Sequence, residues 1–372
     1  MVYQICSRCV MDTSAAEITF DQEGVCSFCR EYQVLSPVAW KRGAEGKKML
    51  DETIQKIKKA GKNKEYDCLI GLSGGVDSSF VTYLAKEKWQ LRPLVVHIDT
   101  GWNSELAVKN IENIVRKLDL DLYTQVIDWE EMKDVQLSFI KSGIICQDNP
   151  QDHVFVALLH KIAHENNVKY FLTGANMATE CILPKSWIYN NLDSRLLRSI
   201  HKKFGSVRLK TFPLIHFWQY YFLYPFFRRL ERVNLLNMMD YNKAEAVAIL
   251  EKALDWRNYG GKHHESVFTK FYQAYYLPHR FGFEKRRAHL SSLVVTGQMT
   301  RAAALANMEK QEYAPQTLRE DKAFVAKKLG ISAEAFEYYL NIAPTTERDY
   351  PNDTFYFDMI TRFKNLFSIR RL

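Results

Sequence analysis

The sequence has 372 residues, of which 47% are hydrophobic and 25% are charged. This composition excludes a disordered chain, and the length exceeds that of a typical single domain, so we expect one α/β core with smaller appendages. The formal net charge of +8 favours anionic partners such as nucleotides, sugar phosphates, nucleic acid or an acidic protein surface. The N-terminus has no signal-peptide pattern, and no stretch offers about 20 uncharged apolar residues, so we expect a cytoplasmic protein.

Four of the seven cysteines form two close pairs near the N-terminus. The pairs Cys6-x-x-Cys9 and Cys26-x-x-Cys29 have the spacing of a Cys₄ zinc knuckle, in which each pair wraps the metal through a tight turn. Four thiolates leave no open position for a substrate, so the sequence predicts a structural zinc ion in a module of residues 1–40. An iron–sulfur cluster uses the same number of ligands and stays open as an alternative. Small buried side chains are predicted for the other three, Cys68, Cys146 and Cys181.

The pattern of apolar residues predicts the core elements in chain order. A helix is predicted over residues 47–59, and from residue 66 short β-rich runs alternate with helical ones. Strands are predicted at 66–72, 93–98, 121–127 and 168–174, and helices at 78–89, 104–118 and 151–166. Continuous apolar strands favour a parallel sheet covered on both faces, so we predict a doubly wound α/β domain over residues 60–185. Strand patterns fade after residue 177, and residues 186–372 are predicted to form a mainly helical region that binds substrate or a partner.

The strongest functional pattern is the run Ser73-Gly74-Gly75-Val76-Asp77-Ser78-Ser79, which lies between the first predicted strand and its helix. The two glycines let backbone amides approach a polyanion, the three serines add hydroxyl donors, and the helix N-terminus adds positive potential. Asp77 beside phosphates implies a Mg²⁺ ion between them. A Walker loop is excluded because its spacing and its lysine are absent. A plain Gly/Ser turn is the alternative interpretation.

This run resembles the signature of the PP-loop ATP pyrophosphatases. Those enzymes grip the β- and γ-phosphates of ATP and expose the α-phosphate to attack, with release of pyrophosphate. Two further strand ends fit that resemblance, because ligands of parallel sheets bind beyond the carboxyl ends of the strands. Asp99 stands where the superfamily contacts adenosine. The run Thr173-Gly174-Ala175-Asn176 with Glu180 downstream is similar to the second nucleotide loop, whose acidic residue often completes the Mg²⁺ site.

Six motifs together resemble the N-acetyl sugar amidotransferase family of bacterial surface-polysaccharide biosynthesis, which includes O-antigen and lipopolysaccharide pathways. They are CSRCVMDTS, CSFC, SGGVDSS, TGAN, YGGKHHESVFTKF and AHLSSLVVTGQMTR, and the match runs from about residue 4 to 310. The resemblance implies that ATP adenylates an acetamido group of a nucleotide-activated N-acetyl sugar. Ammonia then replaces the oxygen to give an acetamidino group. It also implies ammonia from a separate glutaminase complex similar to the imidazole-glycerol-phosphate synthase pair.

Roles for individual side chains follow from this resemblance. Asp77 is the expected Mg²⁺ ligand, and Lys262 and Lys185 are candidate clamps for phosphate groups. His263 or His264 is expected to orient ammonia or accept a proton. No fused glutaminase is predicted, because residue 2 is Val and no G-x-C-x-G nucleophile motif occurs.

A basic stretch and an aromatic stretch follow one another in the second half. The basic stretch, residues 195–210, has six cations and no acidic residue, and residues 212–227 are densely aromatic. Together they suit a membrane surface or the ammonia-supplying partner. The favoured interpretation is a buried aromatic cluster with a solvated basic flank.

Two rival functions remain open at this point. A PP-loop tRNA-thiolating enzyme would also explain the positive charge and the zinc cysteines, although no extra cysteine pair lies near the nucleotide loops, and we expect no nucleic-acid partner. The second rival is a non-catalytic zinc and nucleotide-binding scaffold. The intact Ser-Gly-Gly-x-Asp-Ser arrangement argues against it.

Overall fold

The core of the protein is a parallel five-stranded sheet, seen in a computed structural model that describes residues 2–224, 230–262 and 264–360. The strand order is β3-β2-β1-β4-β5, and every neighbouring pair is parallel. The strands are β1 (Cys68–Gly71), β2 (Pro93–Asp99), β3 (Leu122–Val126), β4 (Tyr170–Leu172) and β5 (Glu231–Val233). The four strands expected from the sequence are confirmed, and so is the doubly wound α/β class.

Helices surround the sheet and make up most of the second half of the chain. None of the described helices combines the length and the apolar character needed to cross a bilayer. The α-helices are α1 (Ser27–Ala39), α2 (Gly43–Gly61), α3 (Val76–Tyr83), α4 (Glu105–Lys117), α5 (Trp129–Ser142), α6 (Asn149–Glu165), α7 (Met177–Glu180), α8 (Ser194–Phe204), α9 (Lys243–Leu254), α10 (Val267–Phe271), α11 (Leu277–Phe281), α12 (Lys285–Val295), α13 (Arg301–Glu309), α14 (Pro315–Leu329) and α15 (Ala333–Asn341).

Both faces of the sheet are buried, as the continuous apolar strands predict. Ile70 and Leu72 belong to a core cluster with residues of α2, α3 and α9. Leu69 and Val96 belong to a second cluster with residues of α5 and α6. Neighbouring residues of one strand therefore pack in opposite layers, which is the arrangement of a parallel sheet with helices on both sides.

The strand order reverses direction at β1, which lies between β2 and β4. The loops that follow these three strands emerge at the same edge of the sheet. Such a switch point opens a crevice beyond the strand ends, and ligands of open α/β sheets bind there. The fold thus brings the loops after residues 71, 99 and 172 to one place.

Two elements differ from the sequence expectation. β5 was not predicted, because this edge strand has three residues and two of them, Glu231 and Arg232, are charged. No helix was predicted before residue 47, but α1 begins directly after Cys26 and includes Cys29. A short helix inside a metal knuckle leaves little apolar periodicity to detect.

Candidate active site

The glycine-rich loop joins β1 to α3 and turns sharply at Gly74. Gly74 has φ +83°, a conformation that a residue with a Cβ adopts only at a cost. Its carbonyl accepts hydrogen bonds from Trp256 Nε1 at 2.8 Å and from the Tyr259 hydroxyl. These two hydrogen bonds fix the position of the carbonyl, and Gly75 to Ser78 at the N-terminus of α3 line a neighbouring cavity.

The serines of this loop do not all face the cavity. Ser73 and Ser78 line it, and their hydroxyl oxygens lie 3.2 Å apart. Ser79 is fully buried, and its hydroxyl has no hydrogen-bond partner among the described residues. The expectation that Ser79 donates to a ligand therefore disagrees with the structure, because its position on α3 points it into the core.

The loop after β4 packs tightly on the glycine-rich loop. A Cβ added to Gly174 would come within 2.7 Å of the Ser78 amide nitrogen, so this contact requires glycine. Thr173 and Asn176 organise their own loop: the Thr173 hydroxyl accepts from Ala175 N at 3.2 Å, and the Asn176 side chain caps α7. Neither lines the cavities described below, so both support the loop rather than offering a ligand contact as predicted.

A cavity of about 560 Å³ lies over the N-terminus of α3, and we call it the charged cavity. Side chains of both signs line it, and they come from the sheet loops and from distant helices. Its charged and imidazole side chains are Asp77, Glu180, Lys243, Lys262, His264, Glu265, Arg286, His289, Lys310 and Glu312. A site with this mixture suits a polyanion together with a divalent cation.

Lys262 is the cation held most closely by the loop carboxylates. Its Nζ lies 2.6 Å from Glu180 Oε1 and 3.8 Å from Asp77 Oδ2. Burial acts to lower the pKa of Lys262, but Glu180 and Asp77 outweigh it and raise the pKa above its ordinary value. The lysine is therefore fully charged at neutral pH and ready to neutralise an anion.

Tyr241 and Lys243 were not singled out from the sequence. The Tyr241 hydroxyl donates to Asp77 Oδ1 at 2.5 Å, and burial followed by the Asp77 charge raises the pKa of Tyr241. Lys243, the first residue of α9, lines the charged cavity, and burial lowers its pKa. About 165 residues separate this pair from Asp77 in sequence, so no local motif could have connected them.

Glu265 lines the charged cavity close to the glycine-rich loop. Its carboxylate lies over the loop, because a Cβ on Gly75 would be 3.2 Å from Glu265 Oε1. The segment is pinned in place: Ser104 N donates to the Glu265 carbonyl at 2.8 Å, and Asn103 pairs with Ser266 in a β-bridge. Of the two histidines beside it, His264 lines the cavity and His263 lies outside the described residues.

A second and larger cavity, of about 880 Å³, lies on the other side of the loop. We call it the apolar-walled cavity, because part of its lining belongs to the core cluster of α5 and α6. That wall is formed by Val96, Ile98, Phe155, Leu159 and Phe171. Polar residues complete it, among them Asn190, Asn191, Thr269 and Lys285. An apolar wall with a few polar groups is typical of a site for an organic ligand.

Two residues that were predicted to contact the nucleotide lie elsewhere than expected. Asp99 lines neither cavity: its Oδ1 accepts from Gly101 N at 2.7 Å and from Asn103 Nδ2 at 3.0 Å, so it stabilises its own loop. Lys185 is exposed and lines the apolar-walled cavity rather than the charged one. The two candidate phosphate clamps, Lys185 and Lys262, therefore lie in different cavities.

The two cavities share a wall formed by Ser73, Glu265 and Gln273. Ser73 of the glycine-rich loop thus lies at the boundary between a charged cavity and one with an apolar wall. A ligand that spans both would pass directly beside Ser73.

The four N-terminal cysteines form a compact cluster. All four are fully buried, and their Sγ atoms lie within 4.8 Å of one another. The pairs Cys6–Cys29 and Cys9–Cys26 are 3.8 and 3.7 Å apart, close to the ~3.8 Å edge of a tetrahedron with zinc–sulfur bonds of about 2.3 Å. The sulfurs fit a single zinc ion and leave no room for a multi-iron cluster.

The cysteine knuckle is fastened to the helices that line the charged cavity. Arg287 Nε lies 3.1 Å from Asp12 Oδ2, and Arg301 donates to the carbonyls of Cys6 and Cys9. Arg286, the neighbour of Arg287 on α12, lines the charged cavity instead. Helix α12 therefore reaches the cavity with Arg286 and the knuckle with the adjacent Arg287.

Comparison with protein families gives two matches that lie on different parts of the chain. Residues 47–195 match the NAD synthase family. Residues 265–364 match the family described as LPS biosynthesis protein WbpG-like, C-terminal domain. The first match contains the glycine-rich loop and most of the sheet, and the second begins at Glu265 of the charged cavity.

Sequence relatives cover the nucleotide-loop part of the chain. An uncharacterized protein, MJ1599 of Methanocaldococcus jannaschii, is 29% identical over 128 residues, which are 34% of this chain and 44% of that protein. A glutamine-hydrolyzing GMP synthase polypeptide of Methanococcus vannielii is 28% identical over 136 residues, 35% of this chain and 41% of that polypeptide. The chain thus spans less than half the length of the curated relatives it matches.

Solved structures similar to this chain include two synthetases. The NH3-dependent NAD synthetase of Campylobacter jejuni is 21% identical, with 40% of this chain and 63% of that chain covered and a TM-score of 0.30. The NMN synthetase of Francisella tularensis is 14% identical, with 82% and 99% covered and a TM-score of 0.35. Both family models lie on one chain, so this protein joins an NAD synthase-like domain to a WbpG-like C-terminal domain of the kind found in LPS biosynthesis proteins.

Proposed function

We propose that this protein is a cytoplasmic ATP-dependent amidotransferase that acts on a nucleotide-activated N-acetyl sugar. It adenylates the carbonyl oxygen of an acetamido group and replaces that oxygen with nitrogen from ammonia, which gives an acetamidino group. The observation that carries the proposal is the glycine-rich loop, which opens the N-terminus of α3 onto a cavity containing Lys243, Lys262 and two carboxylates. The family matches support the coarser part, an ATP-using enzyme of the amidotransferase type.

The charged cavity suits the β- and γ-phosphates of ATP. Backbone amides at Gly75 to Ser78 and the dipole of α3 attract the anion, and Lys262 and Lys243 neutralise it. The carboxylates of Asp77 and Glu180 offer the hard oxygen ligands that Mg²⁺ prefers, and both lie beside Lys262. Mg²⁺ bound there would neutralise charge that develops on the leaving pyrophosphate.

The two cavities fit the geometry of an in-line displacement. The nucleophile must approach the α-phosphorus from the side opposite the leaving pyrophosphate. If pyrophosphate occupies the charged cavity, adenosine and the sugar both belong on the far side of Ser73, in the apolar-walled cavity. Its 880 Å³ is at the upper end of the range of about 300–1,000 Å³ for small-molecule sites, and the apolar wall suits the adenine ring.

The chemistry proceeds in two displacements. An amide oxygen is a poor leaving group, so it first forms a bond to the α-phosphorus while the bond to pyrophosphate breaks. Ammonia then adds to the carbon of this O-adenylyl imidate, and AMP departs with the former amide oxygen. The added nitrogen must lose a proton, and the Glu265 carboxylate at the wall between the cavities is the base that we assign to this step. His264 lies in the same cavity and helps to place ammonia.

Ammonia is proposed to come from a separate glutaminase complex similar to the imidazole-glycerol-phosphate synthase pair. A glutaminase or a thiolating enzyme needs a reactive thiolate with a lowered pKa. Burial instead raises the pKa of Cys146, and it raises that of Cys181 to about 11. The zinc cysteines are committed to the knuckle. These thiols therefore support neither a built-in glutaminase nor the tRNA-thiolating alternative.

The test is an assay of pyrophosphate release with ATP, Mg²⁺, an ammonium salt and a panel of nucleotide-activated N-acetyl sugars. We expect release to depend on one class of sugar, and mass spectrometry should show a loss of about one dalton from that sugar, because NH replaces O. The Asp77→Asn variant should abolish adenylation while it keeps the fold, since it removes one charge of the Mg²⁺ site. No release with any sugar, or wild-type turnover in Asp77→Asn, would refute the proposal.

A further inference from the structure

One surface of the protein combines a basic cleft with exposed aromatic residues, and the cleft shares no lining residue with the two cavities described above. Residues 194–230 contain eight Lys and Arg residues and no Asp or Glu. Charged segments of soluble proteins usually mix both signs, so a one-sided run of this length indicates an anionic partner.

The structure places four of these cations around a cleft of about 1010 Å³. Arg195, Arg198, Lys202 and Arg208 line it, and no carboxylate of the described residues does. Trp218 and Tyr356 form part of its apolar side. The Arg195 guanidinium lies 4.7 Å from the ring centre of Phe355, so cations and aromatic rings occupy the same patch.

The aromatic cluster expected from the sequence is only partly buried. Phe212 and Phe217 belong to the core, but their neighbours reach the surface. Five large side chains leave 41–57% of their surface exposed: Trp218, Phe222, Leu223, Phe355 and Phe357. The aromatic members lie together, because the rings of Phe217 and Trp218 pack against those of residues 356 and 357 with centroids about 5 to 6 Å apart, in tilted and edge-to-face arrangements. We call these five residues and the four cations of the cleft the basic aromatic patch.

Charge decides which occupant suits this patch. The chain's own last segment, residues 361–372, follows directly from it in sequence, but that segment carries four Lys and Arg residues and no acidic one. Covering the patch with it would bring like charges together, which is unfavourable. A partner must therefore be anionic and must also accept aromatic and aliphatic side chains, and the surface of an anionic lipid bilayer has both properties.

We propose that the basic aromatic patch docks the protein on anionic membranes, with the four cations against lipid phosphates and the exposed rings at the level of the headgroups. Aromatic side chains favour that interfacial region, and each basic residue near an anionic leaflet strengthens binding several-fold. Docking is peripheral, and it does not depend on the sugar or on ATP.

The test is co-sedimentation of the full-length protein with vesicles of phosphatidylcholine alone and of phosphatidylcholine mixed with phosphatidylglycerol, without nucleotide. We expect binding to the mixed vesicles only, and we expect it to weaken as salt rises. The Arg198→Glu/Lys202→Glu variant should weaken it by about tenfold or more. The matched control is Lys48→Glu/Lys59→Glu, which changes the net charge equally at exposed positions of α2 that make no ion pair with another described residue.

A second pair of variants isolates the apolar contribution. Trp218→Ser/Phe222→Ser should lower binding to anionic vesicles, whereas Val34→Ser/Val38→Ser, at two exposed positions of α1, should not. Equal losses in both charge variants would show nonspecific attraction, and no binding to mixed vesicles would also overturn the proposal. Binding of tRNA in preference to vesicles, lost in the Arg198→Glu/Lys202→Glu variant, would assign the patch to nucleic acid instead.

Discussion

Replacing Gly174 by alanine tests whether the loop after β4 sets the position of the phosphate-binding loop. The added Cβ would lie 2.7 Å from the Ser78 amide nitrogen and from the Asp77 carbonyl carbon. Ordinary contacts begin at 3.4 Å, so the two loops must separate by about 0.7 Å. The atoms that would move are backbone atoms at the start of α3, and no flexible side chain can yield in their place.

A displacement of this size should affect catalysis more than folding. Overpacking of this kind costs about 1–3 kcal/mol of unfolding free energy. A misplacement near 1 Å of groups that position reacting atoms costs about 100-fold in rate. We therefore expect Gly174→Ala to fold, to unfold at a lower urea concentration, and to lose about two orders of magnitude in kcat/KM for ATP.

The assay combines urea unfolding with ATP-dependent pyrophosphate release. Gly71→Ala is the matched control, because its new Cβ would meet only Leu159 and Phe171 side-chain atoms at 3.6–3.7 Å. Gly71→Ala should lower the urea concentration of unfolding and kcat/KM for ATP less than Gly174→Ala does. Wild-type kcat/KM in Gly174→Ala, or equal losses in the two variants, would refute the idea that this contact fixes the loop.

Three further results are expected. Glu265→Gln should slow product formation by about 100-fold or more, because the variant lacks the base proposed for the ammonia step. Exchange of labelled pyrophosphate into ATP should persist, since adenylation does not need that base. Loss of both activities would contradict the role of Glu265. Cys26→Ser should lose the zinc and several kcal/mol of stability, measured by metal analysis and urea unfolding, since metal binding is coupled to folding of the knuckle; retained zinc would count against a Cys₄ site. Burial lowers the pKa of His153 to about 4 in the folded protein, whereas a histidine in the unfolded chain has a pKa near 6.5. Protons therefore bind the unfolded state preferentially, and the free energy of unfolding should fall by up to about 3 kcal/mol as the pH drops from 6.5 to 4. Urea titrations across that range should show a smaller fall in His153→Gln.

The sheet could be predicted because its strands obey a local rule. Residues buried on both faces give continuous apolar runs, and the runs containing Leu69 and Val96 stand out against the polar helical segments between them. The Cys₄ knuckle could be predicted equally well, because its four cysteines lie within 24 residues of sequence. β5 could not be predicted, because an edge strand of three residues with two charges has no continuous apolar run.

The site was predictable where its residues stand in the loops after strands or in a motif of the family resemblance. The glycine-rich loop and Glu180 were found in the first way and Lys262 and His264 in the second, whereas Lys243, at the start of α9, belongs to neither kind of pattern. Asp99, Asn176 and Ser79 show the opposite error. Each stands at a suggestive position, but a short hydrogen bond within its own loop or a buried helix face determines where its side chain points.

The shared wall at Ser73, Glu265 and Gln273 also bears on the order in which products depart. In the proposed reaction, pyrophosphate on one side of this wall would dissociate while the adenylated sugar stays on the other side. The activated intermediate would then not be exposed to bulk water when the first product is released. Inhibition patterns would then divide in the same way: pyrophosphate would compete with ATP alone, whereas AMP would hinder both ATP and the sugar.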